Sequence, residues 1–211
     1  MTTRNPMTQR TQASDQSSVA GDPAREEERA LLARCQAGEA SAFEELVKKY
    51  EKKVYWISYN LVGNADDAED LAQEAFIRVF RSLDRFNLQY NFYTWLYRIV
   101  VNLSIDHLRK HRRHVMASLD EIPDDPKSLA TPESEVAAKE MGDDILRVLA
   151  SLPDKYRTVL VLRDVEELDC TEIAKIIHCT GATTRWRLHR ARELFAEAWA
   201  RIEPAQATSS S

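Results

Sequence analysis

An all-α protein, built as two small helical domains with a flexible acidic linker between them, is what three features of the sequence predict. Apolar residues recur at three- and four-residue steps through the apolar segments, as a helix with one buried stripe requires. Side chains able to cap free N–H groups stand just ahead of those segments, Asn64 and Asp169 most clearly. Between residues 114 and 131 the period lapses, around Pro123, Pro126, Asp120, Glu121, Asp124 and Asp125. A chain of 211 residues that is 44% hydrophobic has enough apolar surface for a core on each side of that break.

Residues 1–24 are rich in Thr, Gln and Ser and too poor in apolar groups to offset the entropy of ordering, so a disordered tail is expected there. Glu26 to Ala37 then reads as a short helix carrying Leu31, Leu32 and Cys35 on one side. It ends near Gly38, the residue type best suited to a helix C-terminus. Ser41 to Leu61 reads as a longer helix with Phe43, Leu46, Val47, Tyr50, Val54, Ile57 and Leu61 inward. Its Lys48, Lys49, Lys52 and Lys53 are most simply a solvated face.

The third helix follows Asn64, with Ala68, Leu71, Ala72, Ala75, Phe76, Val79 and Leu83 as its buried stripe. Asp66 and Asp67 in its first turn suit the positive end of the macrodipole. Asp66, Asp70, Gln73, Glu74, Ile77 and Arg81 line up on the opposite side. That side reads either as a solvated face with one stray isoleucine or as an acidic docking face with Ile77 as its apolar contact.

The fourth helix starts near Phe92, with Leu96, Ile99, Val100 and Leu103 inward and Thr94, Arg98, Asn102, Asp106, Arg109 and Arg113 on another face. Charge alternates by helix. Asn64 to Ile77 holds five acids and no base, whereas Thr94 to His114 holds five Lys or Arg against one Asp. A basic helix preceded by the aromatic polar loop Asn87-Leu88-Gln89-Tyr90-Asn91 suits nucleic acid: cations neutralise phosphate, and a ring stacked on an unpaired base is worth about 1–3 kcal/mol. Trp95 and Tyr97, at helical spacing, are expected to be mostly buried.

Beyond the linker, helix resumes from Pro132 to Leu152 with Met141, Ile145, Val148, Leu149 and Leu152 in register. Pro153 suits the first turn of the next helix, which continues through Tyr156, Val159, Leu160 and Arg163. Asp169-Cys170-Thr171-Glu172 has the form of a capping box and opens a short helix, Ile173 to Ile177. The last helix follows Thr180 and runs to about Ile202, with Leu188, Ala191, Leu194, Phe195, Ala198 and Trp199 inward and its arginines elsewhere. A short helix, a tight turn and a longer helix with a basic N-terminal half form a helix-turn-helix, whose second helix enters the major groove. Its arginines either grip phosphate, giving salt-sensitive affinity, or bond guanine O6/N7 and confer specificity.

The formal charge of −5 argues against a general nucleic-acid coat, but local patches rather than totals decide where a polyanion docks. Cys35, Cys170 and Cys179 are scattered and read as free thiols of a reducing compartment. No apolar run approaches the ~20 residues of a membrane span, and no signal peptide is evident. No membrane insertion and a cytoplasmic location are therefore expected.

Two ordered blocks carry a resemblance. Asp67-Ala68-Glu69-Asp70-Leu71-Ala72-Gln73-Glu74-Ala75-Phe76, followed by Thr94-Trp95-Leu96-Tyr97-Arg98-Ile99 with Asn102, Asp106, His107, Leu108 and Arg109, resembles the second conserved region of bacterial sigma factors of the small extracytoplasmic-function group. Leu152-Pro153-Asp154-Lys155-Tyr156-Arg157 through Arg187-Leu188-His189-Arg190-Ala191-Arg192 resembles the fourth region of the same group. The resemblance implies a region 2 domain over residues 25–113, a linker over 114–133, a region 4 domain over 134–203 and a tail over 204–211.

It also implies roles. Asp66, Asp70, Gln73, Glu74 and Ile77 would bind RNA polymerase core, at the clamp helices of its β′ subunit. Asn87, Tyr90, Asn91, Phe92, Arg98, Asn102, Arg109, Lys110, Arg112 and Arg113 would capture the downstream (−10) promoter element. Thr183, Arg185, Trp186, Arg187, His189 and Arg190 would read the upstream (−35) element. Duplex contacts and captured bases would offset the few kcal/mol needed to unstack the downstream element. The acidic linker would thread the polymerase's nucleic-acid channel or act only as a soluble spacer. Such factors often have an anti-sigma partner and are monomers when free.

The chain departs from the family pattern at four positions. Glu167 and His178 stand where the family often has glycine, Thr184 where it has valine, and Trp186 where it has a small residue. A non-glycine residue at positive φ costs on the order of 1 kcal/mol. Trp186 is too large to be neutral in a groove and so bears on which promoter sequence is recognised.

Cys170, Cys179, His178 and His189 lack the paired spacing of a structural zinc site, so no metal is expected. With no phosphate-cradling glycine loop and no nucleophile-base pair, neither catalysis nor a cofactor is expected. The alternative function is a stand-alone helix-turn-helix regulator, which would bind its operator without polymerase. A helical adaptor with no DNA role would leave the arginine run of the last helix unexplained.

Overall fold

The computed structural model describes residues 23–118 and 136–207, with side chains for 23–113 and 142–202. Residues 1–22, 119–135 and 208–211, and with them most of the expected tails and linker, lie outside the described residues; the last helix continues to Ala207, past its expected end near Ile202 and into the stretch expected to be a tail. Every described element is helical: α1 (Pro23–Gln36), α2 (Ala40–Val62), α3 (Ala65–Ser82), a 3₁₀ turn (Leu83–Arg85), α4 (Phe92–Ser118), α5 (Val136–Ser151), α6 (Asp154–Leu160) continuing as a π-type turn (Val161–Val165), α7 (Cys170–Ile176) and α8 (Gly181–Ala207).

The α2–α3 corner is set locally. Gly63 takes φ 77°, and its N–H bonds to the Tyr59 carbonyl to close α2. Asn64 then accepts from the Asp67 N–H at 2.9 Å to open α3. This tight reversal lays α3 back along α2, where Leu46, Val54, Ile57, Ala75 and Val79 are buried. The Gln36 side-chain amide donates to the Leu83 and Phe86 carbonyls at 2.8 and 2.7 Å, fastening the end of α1 to the 3₁₀ turn.

Helix α4 differs from expectation in two ways. It continues to Ser118, past the expected end at Arg113. Its buried residues are Leu96, Tyr97, Val100, Val101, Leu103 and Ser104, with Ile99 only half-buried. The stripe is wider and rotated because the C-terminal unit packs on α4 as well as α2 and α3. In α5, Ile145 is 38% exposed and so lies outside the core into which the periodicity placed it.

The two helical units touch through specific groups. Arg157, 6% exposed, donates to the carbonyls of Leu61 (2.5 Å), Ala150 (2.6 Å) and Leu152 (3.2 Å). Those acceptors lie at the C-terminal ends of α2 and α5, where unbonded carbonyls and the macrodipole favour a cation. Burial lowers the Arg157 pKa from its ordinary value and the Asp154 charge opposes that, but a guanidinium stays protonated. Around it, the Tyr93 hydroxyl donates to Glu172, Tyr97 to Glu166 at 3.3 Å, Arg98 to the Lys175 carbonyl at 2.8 Å, and Arg112 pairs with Asp154.

Burial also pushes the Glu166 carboxyl above its ordinary 4.5, against the opposing influence of the Lys53 charge and the Tyr97 hydroxyl. A raised folded-state pKa gives stability that is complete below the unfolded value and lost as pH rises through the folded one. Melting of wild type against Glu166→Gln should therefore diverge in the variant's favour as pH rises from about 4.5 to neutrality. A constant difference across that range would exclude Glu166 as the source.

Glu167 and His178, the two positions where the family often has glycine, have φ of 57° and 52°. The left-handed backbone is thus kept without glycine. His178→Gly should stabilise the C-terminal unit by about 0.5–1 kcal/mol, the relief of Cβ strain less the added freedom of the unfolded chain. Denaturant melts would check this.

Candidate nucleic-acid and protein interfaces

The outer face of α3 presents Asp66, Asp70, Gln73 and Ile77 to solvent, Ile77 being 43% exposed. Glu74 is half-buried and paired with Arg78 at 2.8 Å. Asp67 turns instead to His107 of α4, at 3.3 Å. One turn beyond Ile77, Phe80 is 67% exposed and meets Phe43 edge-on at 5.0 Å. On α2, Trp56 is 51% exposed and lines a groove with Gln73 and Phe76. Neither ring is given a role by the sequence pattern alone. A signal for Trp56 is nonetheless present: with Val54, Ile57 and Leu61 inward, residue 56 has to point elsewhere.

The second site combines the 87–91 loop, the end of α3 and α4. Asn87 accepts from the Gln89 N–H at 2.9 Å, and its carbonyl accepts from the Tyr90 N–H at 3.0 Å. This turn carries Tyr90 out to 70% exposure. Phe92, expected among the DNA contacts, is wholly buried against Tyr50 and Phe86 at 5.3 and 5.7 Å. That expectation is corrected: the Phe92 ring anchors the loop and has no surface to offer DNA.

A concavity of about 1070 Å³ is walled by Arg81, Arg85, Tyr90, Asn91, Trp95 and Arg98, with Lys175 reaching its rim from α7. Cations and flat rings converge there as unpaired bases require. Arg81 and Arg85 come from the preceding helix and turn, so the pattern of α4 alone does not mark them as part of this site. Along α4, Asn102, Arg109, Lys110, Arg112 and Arg113 are exposed. Arg109 lies 3.6 Å from Asp106, and Arg113 donates to the Arg109 carbonyl at 3.3 Å.

The third site is the α7–turn–α8 unit. Asp169 accepts from the Thr171 and Glu172 N–H groups at 2.7 and 2.8 Å, while Glu172 returns to the Asp169 N–H at 2.9 Å, completing the capping box. Those donated N–H bonds hold the Asp169 carboxyl below its ordinary range. Thr180 caps α8 through the Thr183 N–H at 3.1 Å. Thr184 is fully buried, its hydroxyl satisfied by the Thr180 carbonyl at 3.2 Å, so its polar group is tolerated in the core.

On the outer side of α8, Arg185, Trp186 and His189 are exposed, with Thr183, Arg187 and Arg190 half-exposed. Arg190 reaches Glu193 at 3.0 Å and Glu197 at 3.6 Å, and His189 reaches Glu193 at 3.5 Å. Arg185 and Arg187 have no ion-pair partner among the described residues. No cluster of His, Cys, Asp and Glu suited to a metal occurs among the described residues. Nor is any described helix long and apolar enough to cross a membrane.

These surfaces sit within two family matches. Residues 46–114 match Sigma-70 region 2 and residues 142–195 match Sigma-70, region 4, which makes the chain a sigma-type initiation factor. It is 37% identical over 164 residues to the ECF RNA polymerase sigma factor SigW of Bacillus subtilis, spanning 74% of this chain and 88% of that protein. It is 36% identical over 171 residues to the ECF RNA polymerase sigma-E factor of Escherichia coli K12, spanning 77% and 89%.

The fold matches CnrH, solved with the cytosolic domain of CnrY, at a TM-score of 0.63 and 22% identity, covering 80% of this chain and 94% of CnrH. It matches the sigma factor RpoE of Bartonella quintana, solved with the anti-sigma factor NepR, at 0.60 and 22%, covering 74% and 95%. The chain belongs to the extracytoplasmic-function group of the sigma-70 family. It is an RNA polymerase sigma factor that directs core polymerase to promoters and assists their melting.

Proposed function

We propose a division of that work among the three surfaces. Asp66, Asp70, Gln73, Glu74 and Ile77 of α3 bind the clamp helices of the polymerase β′ subunit. Asn87, Tyr90 and Asn91, with Arg98, Asn102, Arg109, Lys110, Arg112 and Arg113, capture and hold open the downstream element, and Phe92 positions the loop from beneath. Thr183, Arg185, Trp186, Arg187, His189 and Arg190 of α8 read the upstream element.

One observation carries this reading: an acidic face and two basic, partly aromatic faces stand on separate helices of one chain. An acidic face repels phosphate and suits a basic protein, whereas the other two suit DNA. The protein works by coupling binding energies, without covalent chemistry, cofactor or metal, in the cytoplasm and as a monomer until it meets core. An anti-sigma factor is the further partner that family membership suggests.

Run-off transcription from a genomic library with purified core tests the proposal. Transcripts are expected from sites that core alone ignores, with weak duplex binding by the free chain. No new transcript, or tight operator binding without polymerase, would overturn it.

A further inference from the structure

Trp186 stands between Arg185 and Arg187 on the outer side of α8 and is 60% exposed. The fold does not require it, since Thr184 and Leu188 on either side fill the core. It is nonetheless held in place. Its ring leans on that of Tyr156 in α6, with centroids 6.1 Å apart and planes at 55°, and the Lys155 ammonium lies 4.8 Å from the Tyr156 ring centre. A rigid indole flanked by two arginines that have no ion-pair partner among the described residues is an apolar contact set inside a cationic one.

The base-pair edges of the major groove offer almost exclusively hydrogen-bonding atoms. Their one apolar group is the 5-methyl of thymine. An indole carried into that groove is therefore covered most favourably over an A·T or T·A pair. We infer that Trp186 is a specificity-determining residue of the upstream element, packing against a thymine methyl while Arg185 and Arg187 engage phosphate or guanine. The inference rests on the proposal that α8 reads that element, and it assigns this chain a base preference that a small residue at position 186 would not impose.

The experiment uses full-length protein reconstituted with core polymerase on a promoter recovered by run-off transcription. Thymines of the upstream element are replaced one at a time by deoxyuridine, which removes the methyl and leaves every hydrogen-bonding group in place. At one or two positions the replacement should lower wild-type promoter affinity about three- to fivefold, the worth of one buried methyl. Trp186→Ala should bind more weakly on thymine and be indifferent to uracil at those positions, whereas Trp186→Phe should keep the discrimination.

Indifference of wild type to uracil throughout the element, or unchanged discrimination in Trp186→Ala, would overturn the inference alone. Absence of any transcript would overturn the initiation reading and this inference with it. A thermal melt of Trp186→Ala matching wild type separates lost reading from lost folding.

Discussion

Core polymerase should no longer co-purify with a chain carrying Asp70→Arg and Glu74→Arg, although its circular dichroism matches wild type. Asp70 is exposed, and Glu74 gives up only a surface pair with Arg78, worth less than about 1 kcal/mol. Neither residue belongs to the buried stripe of α3, so Ala68, Leu71, Ala75 and Val79 remain packed. The Asp67–His107 contact between α3 and α4 is also untouched. At the proposed interface, by contrast, attraction becomes repulsion, and like charges placed across an interface cost several kcal/mol. Each ~1.4 kcal/mol is tenfold in affinity, so the loss should exceed about a hundredfold. A pull-down that retains core undiminished would refute the α3 docking face.

The second large effect is expected at Arg157. Arg157→Ala strands the carbonyls of Leu61, Ala150 and Leu152 at two buried helix ends, and each unsatisfied buried group costs about 1–3 kcal/mol. The arginine's own desolvation offsets part of that sum. A net loss of about 3 kcal/mol is expected, which at ~2–4 °C per kcal/mol lowers the melting temperature by roughly 6–12 °C. Arg157→Lys should rescue little, because an ammonium on a flexible stem does not reproduce a planar fork bonding several carbonyls at once. Wild-type melting of the alanine variant would show that these bonds contribute nothing net.

Much of this architecture is legible in the amino-acid sequence. The stripe of α3, the Asn64 cap, the Asp169 capping box and the helix-turn-helix all follow from local spacing, because each depends on residues within about one helical turn of one another. The left-handed backbone at Glu167 and His178 is legible in another way, as residues standing where glycine is usual.

What escapes the sequence depends on partners distant along the chain. The acceptor on α2 for Arg157 lies 96 residues away, and nothing in the pattern around Arg157 marks it as buried. Phe92 stands at the junction of the polar loop and α4, where the family resemblance places it among the DNA contacts, yet it is enclosed by Tyr50 and Phe86. Ile145 has the spacing of a core residue and lies at a margin where nothing covers it fully. The wall of the aromatic concavity draws Arg81 and Arg85 from outside α4, a convergence that no single helix reveals.

Arg98 and Arg112 are already occupied, the first by the Lys175 carbonyl and the second by Asp154. Neither guanidinium can keep those partners and grip a promoter with the same donors. Each contact uses one nitrogen of a fork with five N–H donors, so others stay available to phosphate, but competition for the shared cation is reciprocal: a strand that displaces these partners weakens the hold between the two halves by as much as those contacts weaken its own binding.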